Sequence, residues 1–428
     1  MDRIAAWIKT AWSIRELRTR ILVTAGIFLV FRFLGHIPVP GVDIVRLQGL
    51  FEQSQFLGLI DIFSGGTLAN FSLMAIGINP YITSSIIMQL ATFLFPKLKA
   101  LSKDGEAGRA QINQYTRLLS LPVAVMQSMS VLAILNTQQL VQTSDPLLLT
   151  AMISSLVAGS MILVWLGELV TQHGIGNGIS MVIFAGIVGR IPISIAQTFQ
   201  LSDTLNIAAV LGVVGVGALL IGVMVAMNEA VRKVQMQYAR RVRGSRTYGG
   251  ELTYLPLKLN AAGVLPIIFA LSVMLLPDIL IRLLQQSGQE VLLQIAAQVA
   301  PLANPASFVY SAVYFGMVVA FTYFSSMVFF NPEELADDLK KSGAFIPGIR
   351  PGKPTEQYLG AVMNRITLAG AIFLGSIAIL PTVAQNLTGL STLSVGGTGV
   401  LIVVSVVLET AKQVRALVVA QNYDRFVR

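Results

Sequence analysis

Residues 147–169 read LLLTAMISSLVAGSMILVWLGEL, an apolar stretch of 23 residues in which Glu168 is the only ionisable side chain. A helix rises about 1.5 Å per residue, so this stretch is long enough to cross a hydrocarbon layer of about 30 Å. A strand of a transmembrane barrel would instead alternate apolar and polar residues over about ten positions. The stretch therefore predicts a transmembrane helix and an all-α membrane protein.

Nine further apolar stretches recur along the 428 residues, and the mean hydropathy is +0.72. Only 12% of the residues are charged, about half the share found in soluble domains. Cysteine is absent, which excludes disulfides and thiolate-bound metals. The ten predicted spans are 21–37, 74–93, 117–136, 147–169, 177–198, 206–228, 261–283, 307–330, 365–385 and 397–416.

Lysine and arginine fall almost entirely on one side of the predicted bundle. If the spans alternate in direction, all but four of the 30 basic residues lie on the side of the N-terminus. The exceptions are Arg32, Arg46, Arg190 and Arg282. Because basic loops stay in the cytoplasm, we expect both termini there, which requires an even number of spans.

The ten spans divide into two sets of five. Five is odd, so the halves 21–205 and 206–416 must begin from opposite faces and are predicted to be inverted relative to each other. Residues 1–20 combine apolar and basic side chains, which predicts a helix lying in the cytoplasmic interface. Residues 417–428 are expected to form a cytoplasmic tail.

One segment interrupts the pattern of the N-terminal half. Residues 58–72 read GLIDIFSGGTLANFS, which is moderately apolar, too short to cross a bilayer, and broken by Gly65 and Gly66. Backbone at membrane depth has to be satisfied by protein or by a water-filled cavity. Two interpretations stay open: a short half-helix folded back into a cavity, or a partly buried extracytoplasmic loop.

Two predicted cytoplasmic loops, 229–260 and 331–364, hold most of the polar residues of the C-terminal half. In the second, Asn331 is a candidate N-cap followed by proline and two glutamates, and two lysines precede Gly343. This order of residues predicts a helix over 331–341, because acidic groups favour the start of a helix and basic groups favour its end.

The sequence FIPGIRPGKP follows at 345–354, and its three prolines and two glycines predict a stiff, non-helical, exposed tip. Arg350 lies in the middle of this tip. An arginine there is either a docking contact or an ordinary solvated side chain.

Side chains that could perform catalysis are scarce. His36 and His173 are the only histidines and are predicted on opposite faces of the membrane, so they cannot share a metal or a catalytic triad. No phosphate-binding loop of the form GxxxxGKS or GxxxxGKT occurs. The GIGNG run at 174–178 follows a predicted span rather than a strand, which indicates a tight turn. We expect neither an enzyme nor a bound cofactor or metal.

The residues alone leave three functions open. Ionisable side chains cluster near the span ends, which weakens the case for an inverted-repeat ion-coupled small-solute transporter. Carbonyls and hydroxyls can hold Na⁺, however, so this alternative is kept. A channel and a non-conducting insertion scaffold fit the same pattern.

Motifs along nearly the whole chain match one family in order and in spacing. They are PVPGVD at 38–43, FSGG at 63–66, GINPYITSSIIMQL at 77–90, GEAGR at 105–109, WLGE at 165–168, HGIGNGIS at 173–180, LPLKLNAAGVLPIIFA at 255–270, NPEELADDLKKSGAFIPGIRPG at 331–352 and GGTGVLIVV at 396–404. The chain resembles the SecY family, whose members form the pore of the Sec protein-conducting channel. The string KKSGAFIPGIRPG resembles the bacterial form, which implies the bacterial inner membrane.

The resemblance implies two inverted five-helix halves around an hourglass pore with a plug helix. Such a pore passes unfolded secretory proteins across the membrane and releases membrane-protein segments sideways into lipid. The positions that match the pore ring are Ile78, Ile82, Ile183, Ile268 and Ile402. An apolar ring stops hydrated ions by dewetting, so it would seal the pore without a charged gate.

The resemblance also assigns a plug and a lateral gate. Segment 58–72 matches the plug, with Asp61, Phe63, Ser64, Gly65, Gly66 and Leu68 as its named residues. The lateral gate would lie between spans two and three on one side and spans seven and eight on the other. Its polar residues would be Thr83, Gln89, Gln127 and Asn260, where a bond between helices would favour the closed gate.

The basic cytoplasmic tips match the docking surface of the family for the SecA motor ATPase and the ribosome. Arg243, Arg246 and Arg350 are expected to make these contacts, including contacts with ribosomal RNA. The family often has a basic pair after the glycine of the first loop, whereas here Ser245 and Arg246 follow that glycine. Other implied partners are the SecE and SecG subunits, signal sequences, nascent or unfolded polypeptides and the lipid bilayer.

Overall fold

Helices make up nearly all of the regular structure in the computed structural model of the chain. The described residues are 14–53, 67–137, 140–141, 145–201, 207–238, 241–243, 246–248, 252–260, 263–286, 290–304, 307–388 and 396–427. The helices are α1 (Arg15–Leu34), α2 (Ile44–Gln53), α3 (Asn79–Leu94), α4 (Pro96–Lys103), α5 (Gly105–Thr137), α6 (Pro146–His173), α7 (Gly178–Leu201), α8 (Ile207–Glu229), α9 (Leu265–Gln286), α10 (Glu290–Ala303), α11 (Phe308–Phe329), α12 (Pro332–Ser342), α13 (Lys353–Thr388) and α14 (Gly396–Val427). The strands are β1 (Val231–Tyr238), β2 (Arg241–Arg243), β3 (Arg246–Tyr248), β4 (Leu252–Lys258) and β5 (Ala344–Phe345).

Every predicted span overlaps a helix, although the second and seventh predicted spans begin before α3 and α9 do. The ten matching helices, in chain order, are α1, α3, α5, α6, α7, α8, α9, α11, α13 and α14. Among the described residues, four ranges are long and apolar enough to cross a membrane by length and composition alone. These ranges are Gly105–Asn136, Pro146–His173, Phe308–Ser342 and Lys353–Leu380.

The boundary predicted at residue 20 is corrected by the first helix. Helix α1 begins at Arg15, so residues 15–20 continue without a break into the first span. This stretch contains no helix breaker, and Arg20 forms an ion pair of 3.0 Å with Glu16 one turn earlier. Residues 1–13 of the predicted interfacial helix lie outside the described residues.

Among the described residues, the most extensive packing between the two halves lies along two helix pairs. In the N-terminal half, α5 packs against α3 and α6, while α6 also packs against α1 and α7. In the C-terminal half, α11 packs against α9 and α13, and α14 packs against α8 and α13. Contacts between the halves join α3 to α9 and α7 to α14. Each half is therefore a packed unit of its own, and opening a path between them breaks only the contacts between halves.

The segment before α3 is held tightly against the start of the chain. The amide of Val39 donates to the carbonyl of Phe71 at 2.9 Å, and the amide of Leu73 donates to the carbonyl of Ile37 at 2.9 Å. On the other side, a carbon atom added at Gly159 of α6 would overlap the carbonyl oxygen of Leu73. These contacts fix the height at which α3 starts.

The loops 229–260 and 331–364 fold together into a small subdomain. Strand β1 pairs antiparallel with β4 and, on its other edge, with β5. The apolar residues between this sheet and helices α12 and α13 are Val234, Met236, Leu257, Leu339, Ala344, Ile346, Leu359, Met363 and Ile366. The all-α prediction missed this sheet, although Val234 and Met236 alternate with polar residues along β1.

The helix predicted over 331–341 is confirmed. The Asn331 side chain accepts the amide of Glu333 at 3.2 Å, and Gly343 ends the helix in the left-handed region with φ at 71°. The non-helical tip predicted over 345–354 is shorter than expected, because α13 already begins at Lys353. Pro354 is the second helical residue, where a missing N–H breaks no helical hydrogen bond.

Replacing Gly159 by alanine is expected to destabilise the protein by about 1–3 kcal/mol, because the added carbon atom forces α6 away from Leu73. The matched control is Gly222→Ala in α8, where an added carbon atom meets no neighbouring atom within 4 Å. There the higher helix propensity of alanine should leave stability unchanged or raised. Thermal unfolding in detergent measures both, and equal stability of the two variants would contradict the close packing at Gly159.

Candidate functional site

The five isoleucines singled out in the sequence are buried in the same apolar cluster. Their exposed fractions do not exceed 5%. The residues are Ile78, Ile82, Ile183, Ile268 and Ile402. The first two come from the start of α3, Ile183 from α7, Ile268 from α9 and Ile402 from α14. Both halves therefore contribute to the cluster, through the helices that join them.

The buried part of the described chain carries no charge. The cluster includes Phe31, Met74, Ile187, Phe269 and Leu401, with Tyr310 and Tyr314 as members that bear hydroxyls. The buried polar side chains of the described residues are all serine or threonine, so none of them is Asp, Glu, Lys, Arg or His. No group of His, Cys, Asp and Glu that could hold a metal ion occurs among the described residues. An apolar constriction of this composition can block hydrated ions, and it offers no fixed charge to bind a passing solute.

The start of α3 is positioned by neighbouring helix α6. Ile78 directly precedes α3, and Ile82 follows one turn later. The buried hydroxyl of Ser160 donates to the carbonyl of Gly77 at 3.0 Å, and Gly77 adopts a positive φ of 66° that favours glycine. This bond holds the two isoleucines at a fixed depth against α6.

Only the end of the expected plug can be located. Asp61, Phe63, Ser64, Gly65 and Gly66 lie outside the described residues. Leu68 is buried in a second apolar cluster that borders the first through the segment before α3; its neighbours there include Phe71, Ile76, Leu132 and Leu156.

The polar residues expected at the seam between α3 and α9 do not bond to one another. The Gln89 amide donates to Ser85 of its own helix at 3.3 Å, and its oxygen is buried without a partner. Thr83 and Gln127 are half-buried. The Asn260 amide instead donates to the oxygen of Asn228 at 3.0 Å.

A short chain of polar side chains joins Asn260 to two other residues of the C-terminal half. The Asn228 amide at the end of α8 donates to the hydroxyl of Ser405 in α14 at 3.1 Å. Ser405 lies about one helical turn beyond Ile402 of the cluster. Sequence reasoning missed Asn228 and Ser405, although an amide inside an apolar stretch is itself a sign that a polar partner is near.

Two contacts close the seam at one end, and no pattern in the sequence predicted either of them. The rings of Phe93 in α3 and Phe324 in α11 meet edge to face, with centroids 6.2 Å apart. The ammonium of Lys103 at the end of α4 lies 3.2 Å from the carboxylate of Glu334 in α12. Each contact joins the N-terminal half to the C-terminal half.

The expected docking arginines lie on two projecting loops. Arg243 and Arg246 are directly paired residues of the short β2–β3 ladder. Arg350 is exposed on the tip before α13, and its carbonyl accepts the hydroxyl of Thr355 at 2.9 Å. The tip is thus held in one shape, as the prolines and glycines predicted.

The GIGNG run forms the tight turn expected from the sequence, between α6 and α7. The amide of Gly176 donates to the side-chain oxygen of Gln413 in α14 at 2.8 Å, and the amide of Ile175 donates to the hydroxyl of Thr24 in α1 at 3.2 Å. The turn therefore joins the halves on the side of α7 and α14, away from the seam.

Comparison with known proteins agrees with this architecture. A sequence model of the SecY family matches residues 72–411. The protein translocase subunit SecY of Streptomyces scabiei is 39% identical over 436 aligned residues, covering 98% of this chain and 98% of that protein.

Two solved channels share the fold. A SecY channel, described for a plug domain that stabilises its closed state and maintains a membrane seal, superposes with a TM-score of 0.63 at 20% identity. Sec61 in the canine ribosome–channel complex superposes with a TM-score of 0.58 at 19% identity. Each comparison covers 93% of this chain and 92% of the other. The family match over most of the chain and the identity to a full-length relative mean that the chain belongs to the SecY family.

Proposed function

We propose that the chain is the pore-forming subunit of a protein translocase. It passes unfolded secretory proteins across a membrane and releases membrane-protein segments sideways into lipid. The observation that carries this proposal is the burial of Ile78, Ile82, Ile183, Ile268 and Ile402, drawn from both halves, in one apolar cluster. The full-length relationship to a translocase subunit supports the same function.

A pore for polypeptides has two conflicting requirements at rest. It must stop ions yet yield to a polypeptide of any sequence. Isoleucine side chains form a barrier that water does not wet, and they have no charge that would favour one passing side chain over another. Because the cluster joins two separately packed halves, it can open without unfolding either half.

The alternative of an ion-coupled small-solute transporter is not supported. The relative and the two solved channels are translocation proteins. Among the described residues no carboxylate or imidazole is buried, so the interior offers a coupling ion neither group.

The location and the partners follow from the family and from charge. We place the chain in the bacterial inner membrane with both termini in the cytoplasm, since the basic loops lie on that side. The ribosome is the partner of one solved channel of this fold, and the basic tips suit ribosomal RNA and an acidic motor surface. SecE, SecG and the SecA motor complete the proposed assembly, and energy comes from the motor or the ribosome.

The plug and the lateral gate are proposed from the same fold and the same family. Residues 58–72 serve as the plug, as does the plug domain of the solved SecY channel. The seam between α3 and α9 serves as the lateral gate, because the other pair that joins the halves, α7 and α14, is tied by the hydrogen bond from Gly176 to Gln413. The Asn260–Asn228–Ser405 chain holds the start of α9 to α8 and α14 while that seam opens.

Reconstitution tests the function directly. The chain with its partner subunits in vesicles, supplied with the motor, ATP and a preprotein bearing a signal sequence, is expected to move the preprotein to a protease-protected position. Omitting ATP or deleting the signal sequence is the control. Vesicles that ignore the preprotein and instead accumulate a small solute along an ion gradient would contradict the proposal.

Replacing Ile82 and Ile402 by serine is expected to raise the ion leak of the resting channel, because hydroxyls allow water to enter the constriction. The matched control is Ile87→Ser, on the same helix as Ile82 but 44% exposed. Conductance of planar bilayers measures the leak. Equal conductance of Ile82→Ser and Ile87→Ser would rule out a sealing role and favour a non-conducting scaffold.

Replacing Arg350 by alanine is expected to weaken motor-driven and ribosome-driven transport while leaving the resting ion leak unchanged, since this exposed side chain is not part of the apolar cluster. Lys353→Ala, another exposed basic residue three positions away, is the control. Binding of the motor and the ribosome to the vesicles measures the effect, and an equal loss in both variants would show a general charge effect rather than a docking contact.

A further inference from the structure

We propose that Phe93, Phe324, Lys103 and Glu334 form a clasp that sets how hydrophobic a signal sequence must be to open the seam. The inference rests on the proposed function and assigns these four residues a role in substrate specificity. The clasp consists of an aromatic pair and an ion pair at one end of the α3–α9 seam.

The two contacts join the same two segments of chain. On the N-terminal half, Phe93 lies near the end of α3, and Lys103 follows ten residues later at the end of α4. On the C-terminal half, Phe324 lies in α11, and Glu334 follows ten residues later in α12. Each residue of one segment therefore meets its counterpart on the other half. Opening the seam at this end has to break both contacts together.

The ion pair is favoured by the helices that carry it. Lys103 is the last residue of α4, where the negative end of the helix dipole stabilises a cation. Glu334 lies in the first turn of α12, where the positive end stabilises an anion. The charges thus match both their own helices and each other, so this pair is better placed than an isolated surface ion pair.

The aromatic pair adds a contact that salt does not screen. The two rings are inclined at 77°, the edge-to-face arrangement that aromatic pairs prefer. Phe93 is 59% exposed, so its ring does not fill a position in the core. The aromatic contact that it makes is with Phe324 of the opposite half. Truncating it should weaken the clasp without unfolding α3.

The free energy needed to break the clasp sets a threshold for signal sequences. A strongly apolar signal sequence gains more free energy on entering the seam than the clasp costs to break, whereas a weakly apolar signal sequence gains less. Contacts such as these shift an equilibrium by about tenfold or less. Their loss should therefore help weak signals selectively.

Transport in reconstituted vesicles tests the clasp with two reporters that differ only in the length of the apolar core of their signal. Lys103→Ala and Phe93→Ala are each expected to raise the transport of the weak-signal reporter relative to the strong one, by up to about tenfold. The Lys103→Ala, Glu334→Ala double variant should do no more than either single change, since all three remove the same pair. Lys99→Ala is the matched control, an exposed lysine of α4 that has no ion pair among the described residues.

The clasp is overturned if the ratio of weak-signal to strong-signal transport stays unchanged in Lys103→Ala and Phe93→Ala. It is also overturned if Lys99→Ala raises that ratio equally. A second measurement does not depend on transport. The chain contains no cysteine, so Lys103→Cys and Glu334→Cys replace the ion pair by the only two thiols of the chain, and a short bifunctional crosslinker between them reports on the aromatic contact alone. Phe93→Ala should lower the crosslinking yield, and an unchanged yield would overturn the role of the aromatic pair in the clasp. If even the strong-signal reporter is not transported by the unaltered chain, the proposed function fails while the crosslink still decides whether the aromatic pair holds this end of the seam.

Discussion

Burial of apolar side chains from both halves against each other is the interaction on which the closed architecture depends. A lipid-embedded helix gains nothing from hiding leucine or isoleucine from lipid tails, so the helices must be held together by close packing and a few polar contacts. The cluster around Ile268 and Ile402 supplies that packing between halves. Because no charged side chain is buried among the described residues, the contact that joins the halves is also suited to be the proposed barrier to ions.

Within each half the fixing contacts are of a different kind. The hydroxyl of Ser160 bonds to Gly77, and Arg117 of α5 forms an ion pair with Glu168 of α6. In the C-terminal half, Lys412 of α14 lies 2.8 Å from Glu229 of α8. Directional polar bonds therefore make each half rigid, whereas the seam between them relies mainly on contacts that can separate and form again.

The two basic loops are also held together by burial of apolar side chains. One sheet and one helix pair combine the loops 229–260 and 331–364 into a single support under the C-terminal half. The apolar side of β1 faces helices α12 and α13, which leaves Arg232, Lys233 and the tip with Arg350 exposed. A docking partner would thus push on a rigid body that leads directly into α8, α9 and α13.

The sequence by itself predicted the helices that overlap the ten spans, the capped helix after Asn331 and, through family motifs, the five isoleucines. These follow from local composition and from matched strings of residues. Tertiary structure alone decided that the isoleucines share one cluster, that Asn260 bonds to Asn228 rather than to Gln89, and that Phe93 meets Phe324. Such contacts join residues far apart in the chain, and a single sequence contains no periodicity that records which distant side chains will meet.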